Sequence, residues 1–267
     1  MEKDIPTNVP KKPLRKLNDK QVYILKLAYK FRFLTTHLLA TYRNNLDHTV
    51  AFRPLEKLVE YGYLIKKTNN HYKIHGKNAS YSLSLLGIKY LRANFSLSES
   101  VLHTMYKNSI VTDSFIDKQL DILRMFIALR RQTGDRYSQF TRSELTEDDN
   151  MPDQLPDLYM RRHDPQVGIS NEYFVYHVTE LQFSHIRKRI DPVLEHYETI
   201  GWDGEYPTIL LVLQSSSIEY RIREYLEKRD FDLDLHILIT AKKALLESEK
   251  TEIWAPYLTE QLLVNLD

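Results

Sequence analysis

The chain of 267 residues contains no cysteine. That excludes disulfides, thiolate metal centres and a cysteine nucleophile, and it fits a reducing compartment such as the cytoplasm. Glycine is scarce as well, with 7 residues, and Gly168, Gly201 and Gly204 are not spaced as a phosphate-cradling loop. No apolar run approaches the roughly 18 residues that span a bilayer, so no membrane partner is expected. The opening stretch MEKDIPTNVPKKPLRK lacks the apolar core of a secretory signal. Interrupted by Pro6, Pro10 and Pro13, residues 1–17 read as a basic flexible tail. The 10 histidines include no His-Glu-x-x-His pair, and Ser215, Ser216 and Ser217 lie in no Gly-x-Ser-x-Gly elbow. Two familiar hydrolase classes are thereby unsupported.

Net charge is also nearly absent, at +1, but it conceals a division. Residues 1–107 carry 19 Lys and Arg against 7 Asp and Glu, a formal +12, while residues 108–267 carry 18 against 29, a formal −11. A basic module joined to an acidic one suits a DNA-binding part attached to a differently employed part. The length favours two domains.

In the basic part, Val22, Ile24, Leu25, Leu27 and Ala28 recur at helical spacing between Asn18 and Phe33, with Asn18 and Asp19 as caps. A second short helix begins at Thr35 or Thr36, places Leu38, Leu39 and Tyr42 inward, and ends at Asn44 and Asn45. A third runs from about Asp47 to Tyr61 on Val50, Leu55, Leu58 and Val59, and Gly62 stands where a left-handed C-terminal residue belongs. Pro54 would remove a hydrogen bond inside it, which moves the expected start nearer Arg53. Tyr63–Lys67 and Ser80–Leu86 then alternate as two strands of a hairpin. Three helices followed by a hairpin is the order of a winged helix-turn-helix, expected over residues 18–94. In such a module the third helix enters the major groove of double-stranded DNA. His48, Thr49, Arg53 and Lys57 are the outward candidates, with Arg53 the best placed to pair with a guanine. Lys66, Lys67, His71, Lys73 and Lys77 would meet phosphates from the hairpin.

Residues 95–108 read as a linker and the start of a connecting helix, and residues 109–267 as a second domain. A long helix is expected over Ser109–Arg131 on Ile110, Phe115, Leu120, Leu123, Phe126 and Ile127. Three strand-like runs follow at Arg136–Thr141, Asp157–Arg161 and Glu172–Gln182, then a helix, the apolar strand Pro207–Gln214, another helix and the strand Leu233–Thr240. The continuous apolar runs suggest central strands covered on both faces. Overall the chain is expected to be α/β (α+β), with a mixed sheet in the order of the restriction-endonuclease-like core.

The winged helix, the helix near His103, Leu155–Met160 (LPDLYM), Tyr173–Gln182 (YFVYHVTELQ) and the helix ending in His196–Tyr197 resemble the replication-relaxation family of plasmids and mobile elements. The resemblance covers about Asn18 to Thr240. It implies an accessory DNA-binding protein acting in replication, or in relaxation and mobilisation at an origin, beside a relaxase, a replication initiator or a second copy of itself.

Endonucleases of this core carry Pro-Asp on one strand and Glu-x-Lys on the next, the carboxylates holding Mg²⁺ and the lysine serving the attacking water. Here the matching residues are Pro156–Asp157 and Glu180–Leu181–Gln182. Alternation along a strand would put Glu180 and Gln182 on one side. A neutral amide at Gln182 cannot act as a cation or take up a proton. Asp157, Glu180 and Gln182 are therefore a degenerate catalytic set, and Asp157 and Glu180 the metal ligands if the site is active. Arg187, Lys188 and Arg189 form the one strong basic run of the acidic half. The expected role is placing a partner on DNA rather than cutting. The alternatives are a Mg²⁺-dependent endonuclease and a winged-helix transcriptional regulator.

Overall fold

The computed structural model describes residues 16–45, 47–68, 78–146, 148, 150–163, 170–179, 182–199, 202, 204–229, 235–248, 252–257, 264 and 266. The chain divides into two compact units, residues 1–116 and 117–267. It is a mixed α/β protein, and no helix among the described residues is long and apolar enough to cross a membrane.

The first unit opens with α1 (Asp19–Phe31). Asn18 caps it reciprocally: its side chain accepts from the Gln21 N–H at 3.0 Å, and the Gln21 side chain accepts from the Asn18 N–H at 3.1 Å. The short strand β1 (Leu34–Thr35) leads into α2 (Thr36–Tyr42), capped by the Thr35 hydroxyl on the Leu38 N–H. Asn44 turns the chain with φ 53°, and α3 (His48–Glu60) follows. Its end is a Schellman motif, with Gly62 at φ 79°, the Gly62 N–H on the Val59 carbonyl and the Tyr63 N–H on that of Leu58. Strands β2 (Leu64–Lys67) and β3 (Ser80–Leu83) pair antiparallel, and β1 joins β3, so the sheet order is β1-β3-β2. Helices α4 (Leu85–Asn94) and α5 (Glu99–Met105) complete the unit. Gly87 is required at its position in α4, because a Cβ there would lie 2.3 Å from the Tyr63 carbonyl oxygen.

Three expectations for α3 and the connecting region are corrected. The helix begins at His48, not near Arg53. Pro54 removes only its own bond, and the Asp47 side chain accepts from the Thr49 N–H at 2.8 Å to satisfy the first turn. Val50 is not a core residue but 46% exposed; Ala51, Leu55 and Leu58 form the buried stripe instead. The long helix α6 spans Asp113–Thr133, so Ile110 lies ahead of it and is exposed. Residues 98–108 are also part of the first unit's packing. Val101, Leu102 and Met105 are buried, and Arg32 donates to Asn108 Oδ1 and to the Thr104 carbonyl, both at 2.8 Å.

In the second unit α6 is followed by β4 (Ser138–Thr141), α7 (Arg142–Leu145), β5 (Leu158–His163), β6 (Ser170–Val178), α8 (Phe183–Thr199), β7 (Thr208–Leu213), α9 (Ser216–Glu227), β8 (Ile237–Ala241), α10 (Lys242–Glu247) and β9 (Ala255–Pro256). The strands form one six-stranded sheet in sequence order. Pairs β4-β5, β5-β6 and β8-β9 are antiparallel, and β6-β7 and β7-β8 are parallel. Helices α8 and α9 make the crossovers that parallel pairing demands. They pack Ile186, Ile190, Val193, Leu194, Ile218, Ile222 and Leu226 on the sheet face formed by Phe174, Tyr176, Val178, Ile209, Leu211 and Ile239. The opposite face is buried too, through Val175, His177, Leu210, Val212 and Thr240. A strand covered on both sides is therefore apolar at nearly every position, as β7 is.

Candidate nucleic-acid interface

In α3 a 3.6-residue period turns Ala51, Leu55 and Leu58 inward, and Leu55 and Leu58 are completely buried. Each contributes about 1.5–3 kcal/mol of apolar burial. The opposite arc carries Thr49, Val50, Phe52, Arg53 and Lys57, all exposed. Glu56 lies on this arc but faces the sheet, where its carboxylate accepts from Tyr81 Oη at 2.6 Å and pairs with Lys66 at 2.8 Å. Burial alone would raise the Glu56 carboxyl, but the Lys66 and Tyr81 hydrogen bonds and the Lys66 charge hold it below its ordinary value. This three-way contact fixes α3 to β2 and β3 and leaves its outer arc open.

The sequence candidates separate accordingly. Arg53 and Lys57 stand exposed on one side of α3. The Thr49 hydroxyl donates to Asp47 at 2.7 Å, so it serves the helix cap. His48 opens the helix, and its side chain lies outside the described residues. Lys66 is engaged by Glu56, with its ammonium 5.7 Å from the Phe52 ring centroid. Lys67 pairs with Asp113 and donates to the Val111 carbonyl, each at 2.9 Å. These two lysines of β2 support the fold in addition to adding positive charge. His71, Lys73 and Lys77 lie outside the described residues.

The carboxylate set of the second unit has a different character. Asp157 immediately precedes β5 and is 3% exposed. Its N–H donates to the Val175 carbonyl at 2.9 Å, and its Oδ2 accepts from the His177 N–H at 2.8 Å and from the Arg189 guanidinium of α8. Arg189 is itself 9% exposed and lies over the Tyr176 ring. Burial would raise the Asp157 carboxyl, yet the Arg189 charge and hydrogen bond, the His177 N–H and the Lys118 charge hold it below the usual range. A fixed internal cation thus stands at the carboxylate. Because Leu158 pairs with Val175, the β6 side chains beside Asp157 on its face are Tyr176 and Val178, both in the core.

Gln182 requires a correction. Strand β6 ends at Val178, and Gln182 precedes α8, exposed, with its backbone carbonyl accepting from the N–H groups of His185 and Ile186. It is a helix-start residue, not a strand neighbour of Asp157. Glu180 lies outside the described residues. Among the described residues no three His, Asp or Glu side chains converge as a metal site. With its oxygen engaged by Arg189, Asp157 does not fit Mg²⁺ coordination in this arrangement. Of the basic run, Arg187 pairs with Asp191 at 3.2 Å, Lys188 is exposed, and Arg189 turns inward. Comparison of the chain with protein-family models, curated proteins and solved structures finds no match.

His177 was not singled out by sequence, and it is fully buried on the sheet face away from Arg189. Burial lowers its pKa, against the raising fields of Asp157 and Asp121 and with a further lowering by Lys242. Lys242 bridges α10 to Asp121 of α6 at 2.5 Å and to Gln214 at 3.1 Å. His196 Nδ1 meets Tyr206 Oη at 2.8 Å in a cluster with Trp202, which locates the His196–Tyr197 pair in the packing of α8.

Proposed function

We propose that the first unit is a winged helix-turn-helix that binds double-stranded DNA through α3, and that the chain acts as an accessory protein of plasmid replication or of relaxation and mobilisation at an origin. The observation that carries DNA binding is the open arc of α3, with Arg53 and Lys57 exposed on a helix anchored from behind by Glu56, Lys66 and Tyr81. Support comes from the element order, from the antiparallel β1-β3-β2 sheet, and from the +12 charge of residues 1–107. Origin function rests on the resemblance to the replication-relaxation family. The second unit is read as a restriction-endonuclease-like core in which Arg189 neutralises Asp157. It serves to place a relaxase, a replication initiator or a second copy on DNA rather than to cut.

The test is a titration of the full chain against labelled duplex at several salt concentrations. Each phosphate contact contributes about −0.9 to the slope of log K against log salt. The combined substitution of Arg53 and Lys57 by alanine should weaken binding and, through the lost Lys57 phosphate contact, shallow that slope by about one. Salt-independent association, or unchanged affinity in the double variant, would overturn DNA binding through α3.

A further inference from the structure

Among the described residues six large hydrophobic side chains are exposed, and two of them, Val50 and Phe52, lie on the open arc of α3. Phe52 has a companion in the Lys66 ammonium. Val50, at 46% exposure, presents its two methyl groups to solvent. Its stripe continues to Arg53 and Lys57 at spacings of three and four residues, so the three side chains share one side of the helix. A β-branched hydrocarbon in line with two exposed cations has a natural counterpart in the major groove. There the thymine C5-methyl is the apolar group, guanine presents paired acceptors, and phosphates flank both.

We infer that Val50 is a specificity-determining residue that reads a thymine methyl, in a site where that thymine neighbours a guanine read by Arg53. The inference rests on the reading of the first unit as a duplex-binding module, and it names the bases that module selects. The charge of +12 over residues 1–107 favours a polyanion over an apolar protein surface as the occupant. Spacing supplies the register. Val50 and Arg53 are three residues apart, about 4.5 Å along the helix axis, and stacked base pairs are about 3.4 Å apart, so the two side chains address adjacent pairs. Lys57, a further turn along, is left for the backbone.

The full-length chain is first used to select binding sequences from a random-sequence duplex pool. The selected duplex is then remade with deoxyuridine replacing each thymidine in turn, which deletes one methyl group and nothing else. At one thymine beside a guanine, wild-type affinity should fall about fourfold, the worth of one buried methyl group. Val50→Ala should bind the parent duplex about fourfold more weakly and be indifferent to that uracil, while Val50→Thr, which keeps one methyl, should fall between them. If every uracil replacement is neutral while the duplex still binds tightly, the role of Val50 is overturned and DNA binding stands. A sensitive thymine whose effect persists in Val50→Ala also overturns it. If no duplex is selected or bound, the underlying reading of the unit fails.

Discussion

Replacing Arg189 by methionine keeps an aliphatic stem of similar reach and removes the cation facing Asp157. Both partners are at least nine-tenths buried, so solvent cannot substitute for the missing charge. Removing one partner of a buried pair costs about 3–5 kcal/mol. The His177 N–H still serves Asp157, which places the expectation near about 3 kcal/mol. With a urea slope of about 2 kcal/mol/M, the midpoint should move down by about 1.5 M. Both tryptophans, Trp202 and Trp254, belong to the second unit, so tryptophan fluorescence follows its unfolding selectively. The effect should also depend on pH. In the wild type the Asp157 carboxyl is depressed, so its stabilisation is present above the ordinary carboxylate pKa of about 4 and lost as pH falls through the folded value. Without Arg189, burial dominates and the folded carboxyl rises above its unfolded value. The variant then binds a proton on folding and loses stability as pH climbs. The gap between the two proteins should therefore shrink on going from pH 7 to pH 5, by at most about 1.4 kcal/mol per pH unit. The double variant Asp157→Leu with Arg189→Met should recover much of the loss, because no lone charge remains buried. A gap below about 1 kcal/mol at pH 7, or one equal at both pH values, would refute the account of this pair.

Two further outcomes follow from features already described. Gly87→Ala drives a Cβ against the Tyr63 carbonyl and should destabilise the first unit by about 1–3 kcal/mol; far-ultraviolet circular dichroism during thermal unfolding measures it, and an unchanged first unit would count against that close approach. Supercoiled plasmid incubated with the protein and Mg²⁺ should remain supercoiled, since Arg189 holds the Asp157 carboxylate; nicking that disappears in Asp157→Ala would show that this carboxylate reaches a metal.

Much of the first unit was readable in the sequence because its signals are local. Asn18, Thr35 and Gly62 sit at helix ends where backbone groups need a cap or a left-handed turn, and each does that in the structure. Val50 was misread because hydrophobicity favours valine over alanine, although Ala51 is the residue at the right spacing from Leu55 and Leu58. In the second unit the mixed sheet was legible from its alternating and continuous runs. The end of β6 was not, since Thr179 to Gln182 has nothing in its own composition to stop a strand; the backbone bonds from His185 and Ile186 to Gln182 set the start of α8. Asp157 was noticed, but its partner, 32 residues later, was read only as one member of a basic run with Arg187 and Lys188. The available signal was periodicity: Arg189 lies three residues after Ile186 and four before Val193, on the buried stripe of α8.

Arg32 carries a consequence for how this chain can be divided. It has φ 68° and sends its guanidinium to residues more than seventy positions away, Thr104 and Asn108, while lying over the Phe115 ring. A break after Asn94, the end expected for the first module from its element order, would strand that guanidinium and uncover the packing of Val101, Leu102 and Met105. Residues 95–116 therefore stay with the first unit wherever the two units are parted, because they carry the clasp that holds Arg32.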